Sequence, residues 1–150
     1  MEIIDKEKAA RVWNRVQGEP DSQQIAQGLL GLIAEEWTDA ATYLLLARQF
    51  QGKESAMLRS LAQQEQAHTA CLKGIYTLIT GSQPTVRSVP PEKAPIQAIL
   101  RRCYGREMRC LAEYEARSSD PEYGRVFQGL AEQERHHCHV ILEILGNLKK

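Results

Sequence analysis

The octapeptide LAQQEQAH at residues 61 to 68 returns as LAEQERHH at residues 130 to 137, with Leu, Ala, Gln, Glu and His at the same five places. Each copy sets a Glu and a His three apart, Glu65 with His68 and Glu134 with His137. Three residues is most of a helical turn, so both side chains leave one face of a helix. One such pair arises by chance in many helices. Two inside the same octapeptide, both on the apolar stripe of their segments, restrict the chain to folds that bring two equivalent helix faces together.

Around these segments the apolar period is helical throughout, and no strand candidate, low-complexity tract or second large domain is evident. At 150 residues the chain is long enough for one domain with a substantial core. Residues 5 to 17 read as a short helix with Ala9, Val12, Trp13 and Val16 on one face, broken by Gly18-Glu19-Pro20. Residues 1–20 are thus expected to be an N-terminal helix and linker, and 21–150 a four-helix bundle.

The first long helix is expected from a cap at Asp21 or Ser22, with Gln24 completing a capping box, to about Gln51, where Gly52 stops it. Its inward stripe is Leu29, Leu32, Ile33, Glu36, Ala40, Tyr43, Leu44 and Ala47. The second runs from near Lys53 to about Thr80 and turns Leu58, Leu61, Glu65, His68, Leu72, Ile75 and Ile79 inward. So short a joint demands an antiparallel hairpin. Residues 81–94, with three prolines and no period, follow. Extended, they reach roughly 45 Å, and a 28-residue helix is about 42 Å long, so this connection is able to cross the whole bundle.

The third helix opens around Pro95 and ends by Ser119, with Ile96, Ile99, Leu100, Cys103, Glu107, Cys110, Leu111 and Tyr114 inward. Asp120-Pro121-Glu122 then supplies a cap, a proline at the first helical position and an acid at the positive helix end. Val126, Phe127, Leu130, Glu134, His137, Ile141 and Leu145 follow before Gly146.

The duplication reaches beyond the octapeptides. Glu36 precedes Tyr43 by seven, as Glu107 precedes Tyr114; Glu36 to Glu107 is 71 residues and Glu65 to Glu134 is 69. This registration selects Glu36 over Glu35 and His137 over His136. Each of the four glutamates lies about 12 to 15 residues from its turn, so at 1.5 Å per residue all four sit near one level, roughly 20 Å along the bundle.

Four carboxylates in an apolar interior cannot all stay ionised unaided, because desolvation and mutual repulsion both oppose it. Two divalent cations balance four carboxylates and two neutral imidazoles. Oxygen and imidazole donors suit iron, manganese, cobalt or zinc, and the lack of thiolate ligands disfavours a closed zinc-thiolate site.

The set Glu36, Glu65-x-x-His68, Glu107 and Glu134-x-x-His137 resembles that of the ferritin-like di-iron carboxylate proteins, and among them the rubrerythrin group, over about residues 22 to 146. The resemblance implies a ferritin-like four-helix bundle with a long crossover between its second and third helices. It implies two iron ions, with Glu65 and Glu134 bridging and Glu36 with His68 and Glu107 with His137 completing the ends. The implied activity is reduction of peroxide or dioxygen, with ferroxidase, iron handling or metal-stabilised redox sensing as alternatives. Rubrerythrins usually add a rubredoxin-like domain with two C-x-x-C pairs. No C-x-x-C pair occurs here, so electrons are expected from an external donor. The extra glutamate that rubrerythrins tend to carry one turn after the third-helix Glu is replaced by Cys110.

Tyr43 and Tyr114 lean toward the N-terminal turns of their helices, which brings each ring toward its own Glu two turns back. There each serves a ligand carboxylate by hydrogen bonding or takes a redox role; an ordinary buried tyrosine is the alternative. Asp39, one turn beyond Glu36, is expected to be a solvated or helix-flanking acid. Cys71, Cys103, Cys110 and Cys138 are expected to be reduced thiols acting as small apolar filling. With 19 basic and 19 acidic residues there is no electrostatic footprint for nucleic acid or an anionic membrane. Without a signal-peptide or spanning run, a cytoplasmic protein is expected, as a homodimer or larger homo-oligomer.

Overall fold

The computed structural model describes residues 6–9, 11, 20–87, 89–90 and 93–148, with the backbone alone over 20–23. Those residues are helical apart from joints and one long connection, with no strand among them. The four main helices are α1 (Pro20–Ala47), α2 (Gly52–Thr80), α3 (Ile96–Ala116) and α4 (Gly124–Leu148). None is long and apolar enough to cross a membrane. At the N-terminus residues 6–9 and 11 are helical and Ala9 is exposed. Val12, Trp13 and Val16, expected on the same face, lie outside the described residues, as do the side chains of Asp21 and Ser22.

The helix ends follow local chemistry. α1 stops at Ala47 rather than Gln51, and Ser55 Oγ on the returning helix donates 2.8 Å to the Ala47 carbonyl, satisfying an acceptor that a helix end leaves open. Gly52 therefore opens α2 instead of ending α1, and its φ of +62° suits a residue without Cβ. α2 closes at Gly81, also left-handed at φ +75°, whose N–H donates 2.8 Å to the Thr77 carbonyl. Asp120 caps as expected: its Oδ2 accepts from the N–H groups of Glu122 at 2.9 Å and Tyr123 at 2.7 Å, one turn ahead of regular helix at Gly124. A Cβ at Gly124 would meet the Ser118 carbonyl oxygen at 2.4 Å, so the α3–α4 turn passes over a residue that has to be glycine.

α1 packs along α2 and α3 along α4 as hairpins. Between them Glu35 pairs with Arg109 and Asp39 with Arg106, so α1 and α3 run antiparallel. Lys53 pairs with Glu143, Gln64 reaches His137 and His68 reaches Glu134, so α2 and α4 do the same. α2 and α3 consequently point the same way. The intervening connection sets Val86 against the cluster holding Ile25, Tyr76 and Ile79, and lays Val89 and Pro90 beside Ala34, Thr38 and Ile99.

Two apolar clusters fill the interior. Leu29, Ile33, Leu72, Ile79, Tyr114 and Phe127 belong to one, and Tyr43, Leu46, Leu58, Leu61, Leu100 and Ile141 to the other. The buried acids and histidines of α1–α4 come from the heptad or so of sequence between them. The inward stripes hold with two exposed departures, Leu44 and Val126; Ile96, Ile99, Leu111 and Leu145 are half-buried, and Leu46 and Ile144, outside the expected stripes, are buried. Leu46 lies three after Tyr43 and Ile144 three after Ile141, on the core face, while Leu44 is turned about 100° from Tyr43 and Val126 as far from Phe127.

Candidate metal centre

The bundle carries its six repeated polar residues to one place. Glu36 comes from α1, Glu65 and His68 from α2, Glu107 from α3, Glu134 and His137 from α4, and none is more than 2% exposed. His68 Nδ1 lies 2.9 Å from Glu134, 3.4 Å from Glu36 and 3.7 Å from Glu65. His137 Nδ1 lies 2.7 Å from Glu65, 3.4 Å from Glu107 and 3.8 Å from Glu134. The two sets are images of each other under exchange of the repeats. Glu65 and Glu134 each face both imidazoles; Glu36 and Glu107 each face one. The rings stack with centroids 5.3 Å apart. Ligand atoms of Glu65, His68, Glu134 and His137 all lie within 4.8 Å of one another, a spacing that can hold a metal ion. Glu35 instead reaches outward to Arg109 at 3.1 Å, and His136 is exposed.

The tyrosines depart from expectation. Tyr43 Oη donates to Glu107 at 2.7 Å and Tyr114 Oη to Glu36 at 2.6 Å, so each serves the glutamate of the other repeat and not its own. Seven residues is nearly two full turns, about 10 Å along one helix, whereas the facing antiparallel helix brings the partner level with the hydroxyl. Asp39 also departs: it is 1% exposed, and Arg106 Nε donates to it at 2.5 Å. The arginine of α3 lies over it and replaces the solvent. Two further residues meet the centre, Gln64 with its Oε1 2.7 Å from His137 Nε2, and Gln133 with its Oε1 against His68 Nε2. The repeated octapeptide contained that signal, since Gln is one of its five identities.

Each of the four glutamates keeps one oxygen, Oε2, that is buried and has no hydrogen-bond partner. A buried carboxylate oxygen with no donor is costly, and four together are more so. Burial pushes the Glu36 carboxyl up, and Glu107 adds to this against the opposing pull of His68 and Tyr114. Asp39 is pushed up to about 7 by burial and by Glu107, with Arg106 working against both. Burial alone would lower His68, but the Glu36 carboxylate 3.4 Å from its Nδ1 turns the net shift upward. Burial also holds both tyrosines well above their ordinary value, with Glu107 adding to it at Tyr43 and Glu36 at Tyr114, so each keeps its proton to donate.

The four cysteines are free and stay filling: Cys103, Cys110 and Cys138 are buried, Cys71 half-buried. Burial raises Cys103 to about 12 and Cys138 to about 11, and also pushes Cys71 and Cys110 up, leaving little thiolate at neutral pH. Cys110, where the resemblance called for a further glutamate, donates its thiol to Glu35 at 3.2 Å. A cleft of about 220 Å³ between α1, α3 and the connection is lined by Glu35, Thr38, Thr42, Pro90, Arg102 and Arg106. Behind Arg106 stands Asp39, with oxygens of Glu65 and Glu107 within 4.8 Å of it.

No family model, curated protein or solved structure matches the chain.

Proposed function

We propose that this chain is a non-haem di-iron oxidoreductase of the rubrerythrin type, reducing peroxide or dioxygen with electrons from an external donor. The observation that carries it is the set of four buried carboxylate oxygens without a hydrogen-bond donor, grouped around two imidazole Nδ1 atoms. Two divalent ions would satisfy all of them and neutralise the charge. On this view the bundle is ferritin-like, and the 81–95 segment is its crossover, required because α2 and α3 run in parallel.

Glu65 and Glu134, each facing both imidazoles, would be shared between the two ions. Glu36 with His68, and Glu107 with His137, would hold the ends. Iron bound there supplies one-electron chemistry toward peroxide or dioxygen, which no side chain of the chain supplies unaided. The protein's part is positioning. Tyr43 and Tyr114 hold a proton at Oη and donate it to the outer oxygen of Glu107 and Glu36, which orients the other oxygen inward. Two apolar clusters close the site above and below, excluding water along the bundle axis. The cleft lined by Arg106, whose partner Asp39 is buried, is where a small oxidant would enter on this reading.

The test is anaerobic reconstitution with ferrous iron, addition of hydrogen peroxide, and absorbance in the near-ultraviolet and visible. Rapid oxidation, repeated on re-reduction, is expected; a Glu65→Ala, Glu134→Ala double variant should lose it. Oxidation no faster than in that variant would sink the proposal. One oxidation per iron without repeated turnover would favour iron handling.

A further inference from the structure

The fifth identity of the repeated octapeptide is the glutamine one residue before each Glu, Gln64 and Gln133. Charge neutralisation does not involve it, and nothing in a helix period requires Gln at that place. In the folded chain each amide oxygen meets a histidine Nε2, and the pairing is crossed. Gln64 of α2 reaches His137 of α4, and Gln133 of α4 reaches His68 of α2. Gln64 is half-buried and its Nε2 donates to Ser60 Oγ at 3.3 Å, which leaves the amide oxygen facing the ring. Gln133 is exposed.

An amide oxygen accepts and never donates, so the ring nitrogen it meets has to carry the proton. A neutral imidazole protonated at Nε2 has its lone pair at Nδ1. In both histidines Nδ1 is the atom that faces three carboxylates. Resting on the metal-centre reading, we propose that Gln64 and Gln133 are positioning residues: each fixes the tautomer and ring plane of the other repeat's histidine, so that Nδ1 is presented to a bound ion. Each half of the duplicated chain then completes the ligand of the other, and neither hairpin holds its own histidine in the binding form. A glutamine acting merely as a polar surface residue would have no effect on a histidine some seventy residues away.

The experiment uses the full chain stripped of metal and titrated with zinc against a competing chelator. Gln64→Leu and Gln133→Leu should each weaken zinc binding about 10- to 100-fold, the usual consequence of losing the group that orients a metal-bound histidine. Gln64→Glu and Gln133→Glu, which keep an acceptor oxygen at the same reach, should recover most of it. Histidine-selective nitrogen-15 NMR of the zinc-loaded protein supplies a readout independent of affinity. Gln64→Leu should speed solvent exchange of the Nε2–H of His137 and leave His68 unchanged, and Gln133→Leu should do the reverse. Leucine variants that bind zinc as tightly as wild type overturn the proposal, as does a response from the histidine of the same helix. Loss of helical circular dichroism in the leucine variants also overturns it, by making the glutamines supports of the fold. A wild-type chain that binds no zinc under these conditions sinks the metal-centre reading and this inference together.

Discussion

Without metal, the protein should lose stability as the pH is raised from about 5 to about 8. Asp39 has a folded-state value of about 7 against 3.8 when unfolded. Between those values the folded chain holds a proton that the unfolded chain has released, so stability falls with rising pH, by up to about 1.4 kcal/mol per pH unit for one group. From about pH 5 to about pH 7 Asp39 alone accounts for on the order of 2 kcal/mol. At 1% exposure there is no solvent screening to discount. Glu36, also raised, acts in the same direction. His68 is raised as well, so its stabilisation is present below about 6.5 and disappears as the pH rises through its folded value. All three signs agree. Urea unfolding with chelator present, followed by helical circular dichroism at several pH values, measures the slope, and Asp39→Asn should flatten it between about pH 5 and pH 7. Divalent metal should reverse the trend, because binding requires deprotonated ligands and its contribution grows with pH. A metal-free stability that is flat or climbs toward pH 8 would refute the reasoning.

Tyr43→Phe should destabilise the metal-free protein by roughly 1–3 kcal/mol in urea, by stranding the Glu107 oxygen it now serves. The crossing makes a sharper prediction. Tyr43→Phe should be non-additive with Glu107→Gln and close to additive with Glu36→Gln, in double-mutant cycles. Gly124→Ala should cost roughly 1–3 kcal/mol, read as a lower melting temperature, since its methyl group has no room against the Ser118 carbonyl. In the native protein iodoacetamide should modify Cys71 first, with Cys103, Cys110 and Cys138 labelled in unfolding conditions, as peptide mass mapping would show.

The helices, their inward faces and the meeting of six polar residues at one level could all be read from the linear chain. A Glu and a His three apart share a face whatever surrounds the helix, and equal distances from the turns put equivalent residues of two hairpins at equal height. The duplication then implied a centre with two equivalent halves. The helix ends were less legible: whether Gly52 ends one helix or begins the next depends on Ser55 reaching back to the Ala47 carbonyl across the joint.

Partnership between helices was settled by packing. That Tyr43 serves Glu107, that Gln64 serves His137 and that Arg106 covers Asp39 follow from which face of α1 meets α3 and which face of α2 meets α4. The 3.6-residue period states which side chains share a side of their own helix and is silent on what stands opposite. Asp39 has the same distance from Glu36 that a solvated acid could have, and it became a buried hydrogen-bond acceptor because an arginine on a neighbouring helix lay over it. Periodicity within each helix chose the residues of the centre; the juxtaposition of the four helices chose their partners.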